Sequence, residues 1–314
     1  MKKRYGFLAA ALLSAVTLVL GGCGSDSSSG QKILTSGSST ELPVFESPTV
    51  FVPSADGKEY LGSEPLLLDV SNMSQGYLIA CSSSEDSRCN LQLSDPSGIA
   101  YSYFISPGEH AVIPFSGGEG EYLITAYEQI TDSNYSALYL ETVDLTLDNI
   151  FYPFLYPNQY VSFTEESEAS KLAITLLPED ATELDILDEV YRYVTENITY
   201  DEEKAETVEV GYLPDIDETL HTGTGICFDY AALMTCMLRS RDIPCKLQIG
   251  YSGSVKHAWI DVYTRSTGWI EQAIAFDGKN WTRMDPTFNS TSSNFEDIHQ
   301  YIGDGNNYTV QFTR

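Results

Sequence analysis

From about residue 49 to 147, apolar and polar positions alternate in short runs. Examples are Tyr77-Leu78-Ile79-Ala80, Tyr101-Ser102-Tyr103-Phe104-Ile105, Ala111-Val112-Ile113-Pro114-Phe115, Tyr122-Leu123-Ile124-Thr125-Ala126-Tyr127 and Ala137-Leu138-Tyr139-Leu140. Turn-forming residues separate them, as in Asp95-Pro96-Ser97-Gly98, Pro107-Gly108 and Gly117-Gly118-Glu119-Gly120. Period-two segments that recur at intervals of about 10–15 residues predict an antiparallel β-sandwich over residues 45–148. The tyrosines suit half-buried strand faces. An exposed platform on which carbohydrate stacks is the alternative.

Residues 149–164, with Pro153 and Pro157, read as a connector, and beyond them the period changes. A helix is predicted over 165–177. A stronger one covers 182–197, where Leu184, Leu187, Val190, Tyr191 and Val194 recur at helical spacing. The acidic stretch 202–219 contains Gly211 and Pro214 and predicts a loop with little regular structure. Residues 228–239 form a helix that is apolar nearly all round, hence buried, and Pro244 prevents its continuation. Along 256–263 the side chains alternate. Ala258, Ile260 and Val262 share one face, His257, Trp259 and Asp261 the other. Residues 268–275 and 279–284 predict two more strands, the second carrying Trp281, Arg283 and Asp285 on one face. The fold class is α+β, with a second domain over 165–314 in which a helix packs on an antiparallel sheet.

Three segments in that second domain carry chemistry: Gly225-Ile226-Cys227-Phe228-Asp229-Tyr230-Ala231, Lys256-His257-Ala258-Trp259 and Trp281-Thr282-Arg283-Met284-Asp285-Pro286-Thr287. A thiol becomes a strong nucleophile when a base and a positive local field make it a thiolate. Cys227 begins a buried helix, where free backbone N–H groups and the positive dipole end favour that charge. His257 is the candidate base and Asp285 the group that would hold its tautomer. The backbone N–H of Cys227 is one candidate oxyanion donor. His221 and Tyr200 are candidates for the second, and each has a packing role as its alternative. Asp229 lies in the helix's first turn, where the dipole alone accounts for a carboxylate. His110 and His299 have no partner pattern and read as surface residues. No Cys/His spacing suits zinc, and neither metal nor cofactor is expected.

These segments, with Ile243-Pro244, Gly250-Tyr251 and Gly268-Trp269 between them, resemble the transglutaminase-like superfamily over about residues 190–288. The resemblance implies a papain-like fold with a helix-borne cysteine against an antiparallel sheet. It also implies a catalytic triad of Cys227, His257 and Asp285. Active members of that superfamily attack an amide carbonyl and pass through a thioester that water or an amine resolves. The resemblance therefore implies a cysteine protease, amidase or acyltransferase acting on peptide, protein or cell-wall polymer. A non-catalytic module that binds peptide or glycan is the alternative.

The N-terminus adds a location. Lys2, Lys3 and Arg4 precede an apolar run over 7–20 that is too short to span a bilayer. The run ends in Leu20-Gly21-Gly22-Cys23, which resembles the lipobox of bacterial lipoproteins. Residues 1–22 are then a signal peptide and Cys23 the lipidated residue. The Ser/Gly-rich stretch 23–44 is a flexible tether. The expected location is extracytoplasmic, on the membrane that the lipid enters. A formal net charge of −28 repels phosphate backbones and excludes nucleic acid as a partner. Export permits a disulfide between Cys81 and Cys89 across the loop between them, with two free thiols as the alternative. Cys236 and Cys245 lie in apolar surroundings and read as core.

Overall fold

The computed structural model describes residues 38–131, 134–252, 254–271, 274–276, 281–283 and 308–314. The expected signal peptide (residues 1–22), Cys23, Asp285 and His299 lie outside them. The first part is built of strands β1 (Tyr60–Ser63), β2 (Leu66–Asp69), β3 (Tyr77–Ser82), β4 (Cys89–Ser94), β5 (Ala100–Ile105), β6 (His110–Pro114), β7 (Gly120–Thr131) and β8 (Asn134–Leu145). They form two four-stranded antiparallel sheets, β1-β2-β3-β6 and β5-β4-β7-β8. One apolar cluster joins the two. Leu66, Leu68, Leu78 and Ala80 come from the first sheet, and Leu91, Leu93, Tyr103, Ile124 and Ala126 from the second. Alternate residues of β2 to β7 enter this cluster, as the pleat requires. Tyr77, Tyr101, Tyr103 and Tyr122 are buried, so these tyrosines pack and do not form an open platform.

The same alternation separates the two cysteines. Cys89 is buried in the shared cluster, whereas Cys81 lies on the other face of β3 from Leu78 and Ala80. Both are free thiols here, since a bridge would require the sulfurs to approach from opposite sides of a strand.

The second part contains α1 (Glu168–Leu176), α2 (Glu183–Asn197), β9 (Thr199–Tyr200), α3 (Glu202–Thr207), α4 (Ile216–Thr222), β10 (Thr224–Gly225), α5 (Cys227–Arg239), β11 (Cys245–Ser252), β12 (Val255–Thr264), β13 (Gly268–Ile270), β14 (Ile274–Phe276), β15 (Trp281–Arg283) and β16 (Tyr308–Thr313). The acidic stretch read as loop holds two short helices, each begun by an aspartate. Asp201 accepts the Lys204 N–H at 2.8 Å, and Asp215 accepts the Glu218 N–H at 2.9 Å. Thr182 starts α2 similarly, through the Asp185 N–H at 3.2 Å. The sheet runs β13-β12-β11-β16, all antiparallel. Helix α5 packs on its Leu247, Ala258, Ile260 and Val262 face, with α1 and α2 outside the helix.

Two arginines at the C-terminal end of α5, Arg239 and Arg241, are buried and collect carbonyls. Arg239 donates to the carbonyls of Cys245 at 2.8 Å, Tyr156 at 2.5 Å and Arg314 at 3.1 Å. Arg241 donates to those of Ala173, Leu177 and Pro178, closing the end of α1. No helix of the described residues is long and apolar enough to cross a membrane.

Candidate active site

Cys227 is the first residue of α5, as the helical pattern predicts. It is half-buried, and so is Phe228, while Asp229 through Arg239 are all buried. What fixes this start is a two-residue parallel pairing of β9 with β10, Thr199 opposite Thr224 and Tyr200 opposite Gly225. The Asp201 N–H donates to the Gly225 carbonyl at 2.9 Å. From within the helix, the Tyr230 hydroxyl donates to the Ile198 carbonyl at 2.6 Å. The backbone two residues before the thiol is thus tied to the end of α2.

Sequence reasoning passed over the residue that organises this corner. Asp229 has no exposed surface. Its carboxylate accepts the Ile226 N–H at 2.8 Å, the Lys204 ammonium at 2.7 Å and the Tyr212 hydroxyl at 2.5 Å. Lys204 also donates to the Tyr212 hydroxyl at 2.7 Å. Burial pulls the Lys204 ammonium down, but its bonds to Asp229 and Tyr212 outweigh burial and hold it above the usual lysine value. Burial, and then the Asp229 carboxylate, push the Tyr212 phenol up to about 12. Gly225 belongs to the same corner, because a Cβ there would lie 2.7 Å from the Asp229 Cβ. The signal in the sequence was Gly-x-Cys-x-Asp, whose carboxylate the helix dipole alone already accounted for.

The two candidate oxyanion donors are placed differently. Tyr200 is half-buried, pairs with Gly225 on the adjoining strand, and has its ring 6.5 Å from that of Tyr230. His221 is exposed in the last turn of α4, before Gly223.

His257 is buried at 7% exposure, the third residue of β12. By the alternation that puts Ala258 and Ile260 under α5, it belongs with Trp259 and Asp261 to the opposite face. Its ring lies 6.3 Å from Trp259 and 6.2 Å from Tyr308. Gln248 bonds Asp261 there at 2.6 Å. The indole N–H of Trp259 is buried with no hydrogen-bond partner among the described residues. Opposite His257 stands Gly250, where the pairing of β11 with β16 slips by a β-bulge. Bulges sharpen the local twist and re-aim side chains. Asp285 lies outside the described residues. Among those residues no group of three His, Cys, Asp or Glu side chains could hold a metal.

Burial pushes Cys236 and Cys245 up to about 12, and raises Cys81 and Cys89 as well.

Residues 171–286 match the family model of the transglutaminase-like superfamily. Among solved structures, the chain is similar to a candidate cysteine protease from Cytophaga hutchinsonii. The two are 15% identical over 82% of this chain and 73% of that one, with a TM-score of 0.38. It is also similar to a candidate protease from Parabacteroides distasonis, 15% identical, over 59% of this chain and 37% of that one, with a TM-score of 0.30. No curated protein matches.

Proposed function

We propose, from the match of residues 171–286 to the transglutaminase-like superfamily, that the chain is a thiol enzyme acting on amide bonds. The observation that carries the reading is the place of Cys227. It is half-buried on the first turn of a buried helix, while the other thiols of that domain are sealed in its core.

In this reading the Cys227 thiolate adds to an amide carbonyl carbon and the carbonyl oxygen takes the negative charge. The Cys227 N–H and a second donor, Tyr200 or His221, hold that charge. As the C–N bond breaks, the departing amine takes its proton from the His257 imidazolium, leaving a thioester. Water or another amine, deprotonated by His257, then releases the acyl group. Asp285 orients the imidazole. Peptide, protein or cell-wall polymer is the substrate class. The two N-terminal sheets form a β-sandwich domain over 45–148, joined by the 149–164 connector to the catalytic domain over 165–314. A lipid on Cys23 holds the enzyme on the outer side of the cell membrane. Cys23→Ser then moves the chain to the soluble fraction, and continued membrane retention removes the anchor.

A second reading has one observation in its favour: His257 is buried on the sheet face opposite the one that packs on α5. In this reading the domain binds peptide or glycan without turning it over. The two diverge in the alkylation of Cys227 by iodoacetamide against pH, located by peptide mass spectrometry. For an enzyme, wild type reacts well below the ordinary thiol range of about 8.5, and His257→Ala shifts the profile up towards it. Identical profiles centred near that ordinary value select the binding module.

A further inference from the structure

Helix α3 and Tyr212 on the following loop reach the start of α5 through the Asp229 carboxylate and the Phe228 ring. Asp229 sits two residues after Cys227 and is wholly buried. A buried carboxylate this close to a thiol opposes its ionisation, because like charges in a poorly solvated corner repel strongly. Asp229 also takes up the Ile226 N–H, one of the free donors that give a helix N-terminus its positive character. Left alone, it would work against Cys227.

It is not left alone. Lys204 is the single lysine or arginine between Arg192 and Arg239, in a stretch that holds Glu202, Glu203, Glu206 and Glu209. Of all these charges, its ammonium is the one folded inward onto Asp229, at 2.7 Å, with the Tyr212 hydroxyl closing the triangle. The Lys204 ammonium also lies 4.6 Å from the Tyr212 ring centroid, and that ring meets Phe228 edge-on at 6.3 Å. Phe228 adjoins the thiol residue in sequence. The ionisable side chains that the surrounding elements bring to this corner are Lys204 on α3, Tyr212 on the following loop, Asp201 at the start of α3, Tyr200 on β9 and Asp229 on α5.

We propose that Lys204 is a positioning residue for Cys227: by neutralising and holding Asp229, it leaves the positive end of α5 to the thiolate. Tyr212 shares the carboxylate and fixes the distance. The proposal rests on Cys227 being the reactive thiol, but not on a substrate or on His257.

The test is the iodoacetamide profile of Cys227 in the full chain, read beside the denaturant midpoint of each variant. Lys204→Met leaves Asp229 unpaired and shifts the profile up by about one pH unit, a tenfold slower reaction on its lower limb. Lys204→Arg keeps the wild-type profile. Lys204→Met combined with Asp229→Asn removes both charges and returns the profile towards wild type. A clamp with only a structural role gives a different result. Lys204→Met then lowers the denaturant midpoint and leaves the profile in place, or the double variant stays as shifted as the single one. Either outcome overturns the proposal. If Lys204→Met does not fold, Tyr212→Phe serves, with a smaller upward shift expected and no shift overturning it. Failure of the catalytic reading shows separately, as an unmoved profile in His257→Ala.

Discussion

Asp242 is the one non-glycine residue of the described chain with a positive φ, at 60°. It sits just past α5 and accepts the Thr49 N–H on both carboxylate oxygens, each at 3.2 Å. Burial raises its carboxyl to about 7, against the opposing pull of the Thr49 N–H, Arg241 and Arg265. The folded value is above the unfolded one of about 3.9. Its contribution to stability is therefore fully present below about pH 4 and is lost as the pH rises through 7. Asparagine tolerates the left-handed conformation and still accepts an N–H. Asp242→Asn is expected to gain stability relative to wild type between pH 5 and pH 8, seen in denaturant midpoints. A gain that shrinks over that range contradicts the assignment.

Among the elements, the bulge beside His257 depends on one glycine. A Cβ on Gly250 would lie 2.0 Å from the Thr309 carbonyl oxygen and 3.0 Å from the far edge of the Trp259 ring. Gly250→Ala must push β16 away or turn Trp259, at a cost of about 1–3 kcal/mol. Urea unfolding measures this, and an unchanged midpoint removes the steric argument. Most elements were legible because their faces are simple. Leu184, Leu187, Val190 and Val194 repeat along one side of α2, and alternation in β12 gave its two faces correctly. Helices α3 and α4 were not legible. Their acids hid the fact that Asp201 and Asp215 are caps, and short polar helices carry no apolar stripe. Asp229 was missed for a related reason. A carboxylate in a first turn has a sufficient local explanation, and its partners Lys204 and Tyr212 come from a segment read as loop. Which face of β12 meets α5 also lies outside periodicity, since alternation pairs residues with faces but assigns neither face to the helix.

Across the whole molecule, residues far apart in the chain share one socket. The Arg314 guanidinium is buried over the rings of Tyr101, Tyr103 and Tyr160, 4.7, 4.6 and 4.3 Å from their centroids. It donates to the Tyr103 hydroxyl at 2.8 Å. Its backbone pairs with Leu247 in both directions, at 2.7 and 2.9 Å, and its carbonyl accepts from Arg239. The end of β16 thus joins the N-terminal sheets, the strand next to His257 and the end of the Cys227 helix. This has a consequence for the order of events during synthesis. Tyr103 precedes Arg314 by 211 residues and Arg239 precedes it by 75. Contacts of such separation close late and slowly, after local ones have formed. A nascent chain emerging from the ribosome has its thiol-bearing helix made well before residues 308–314 exist to complete the sheet beneath it. The sheet under α5 is thus completed only after β16 has been made, later than the helix that it carries.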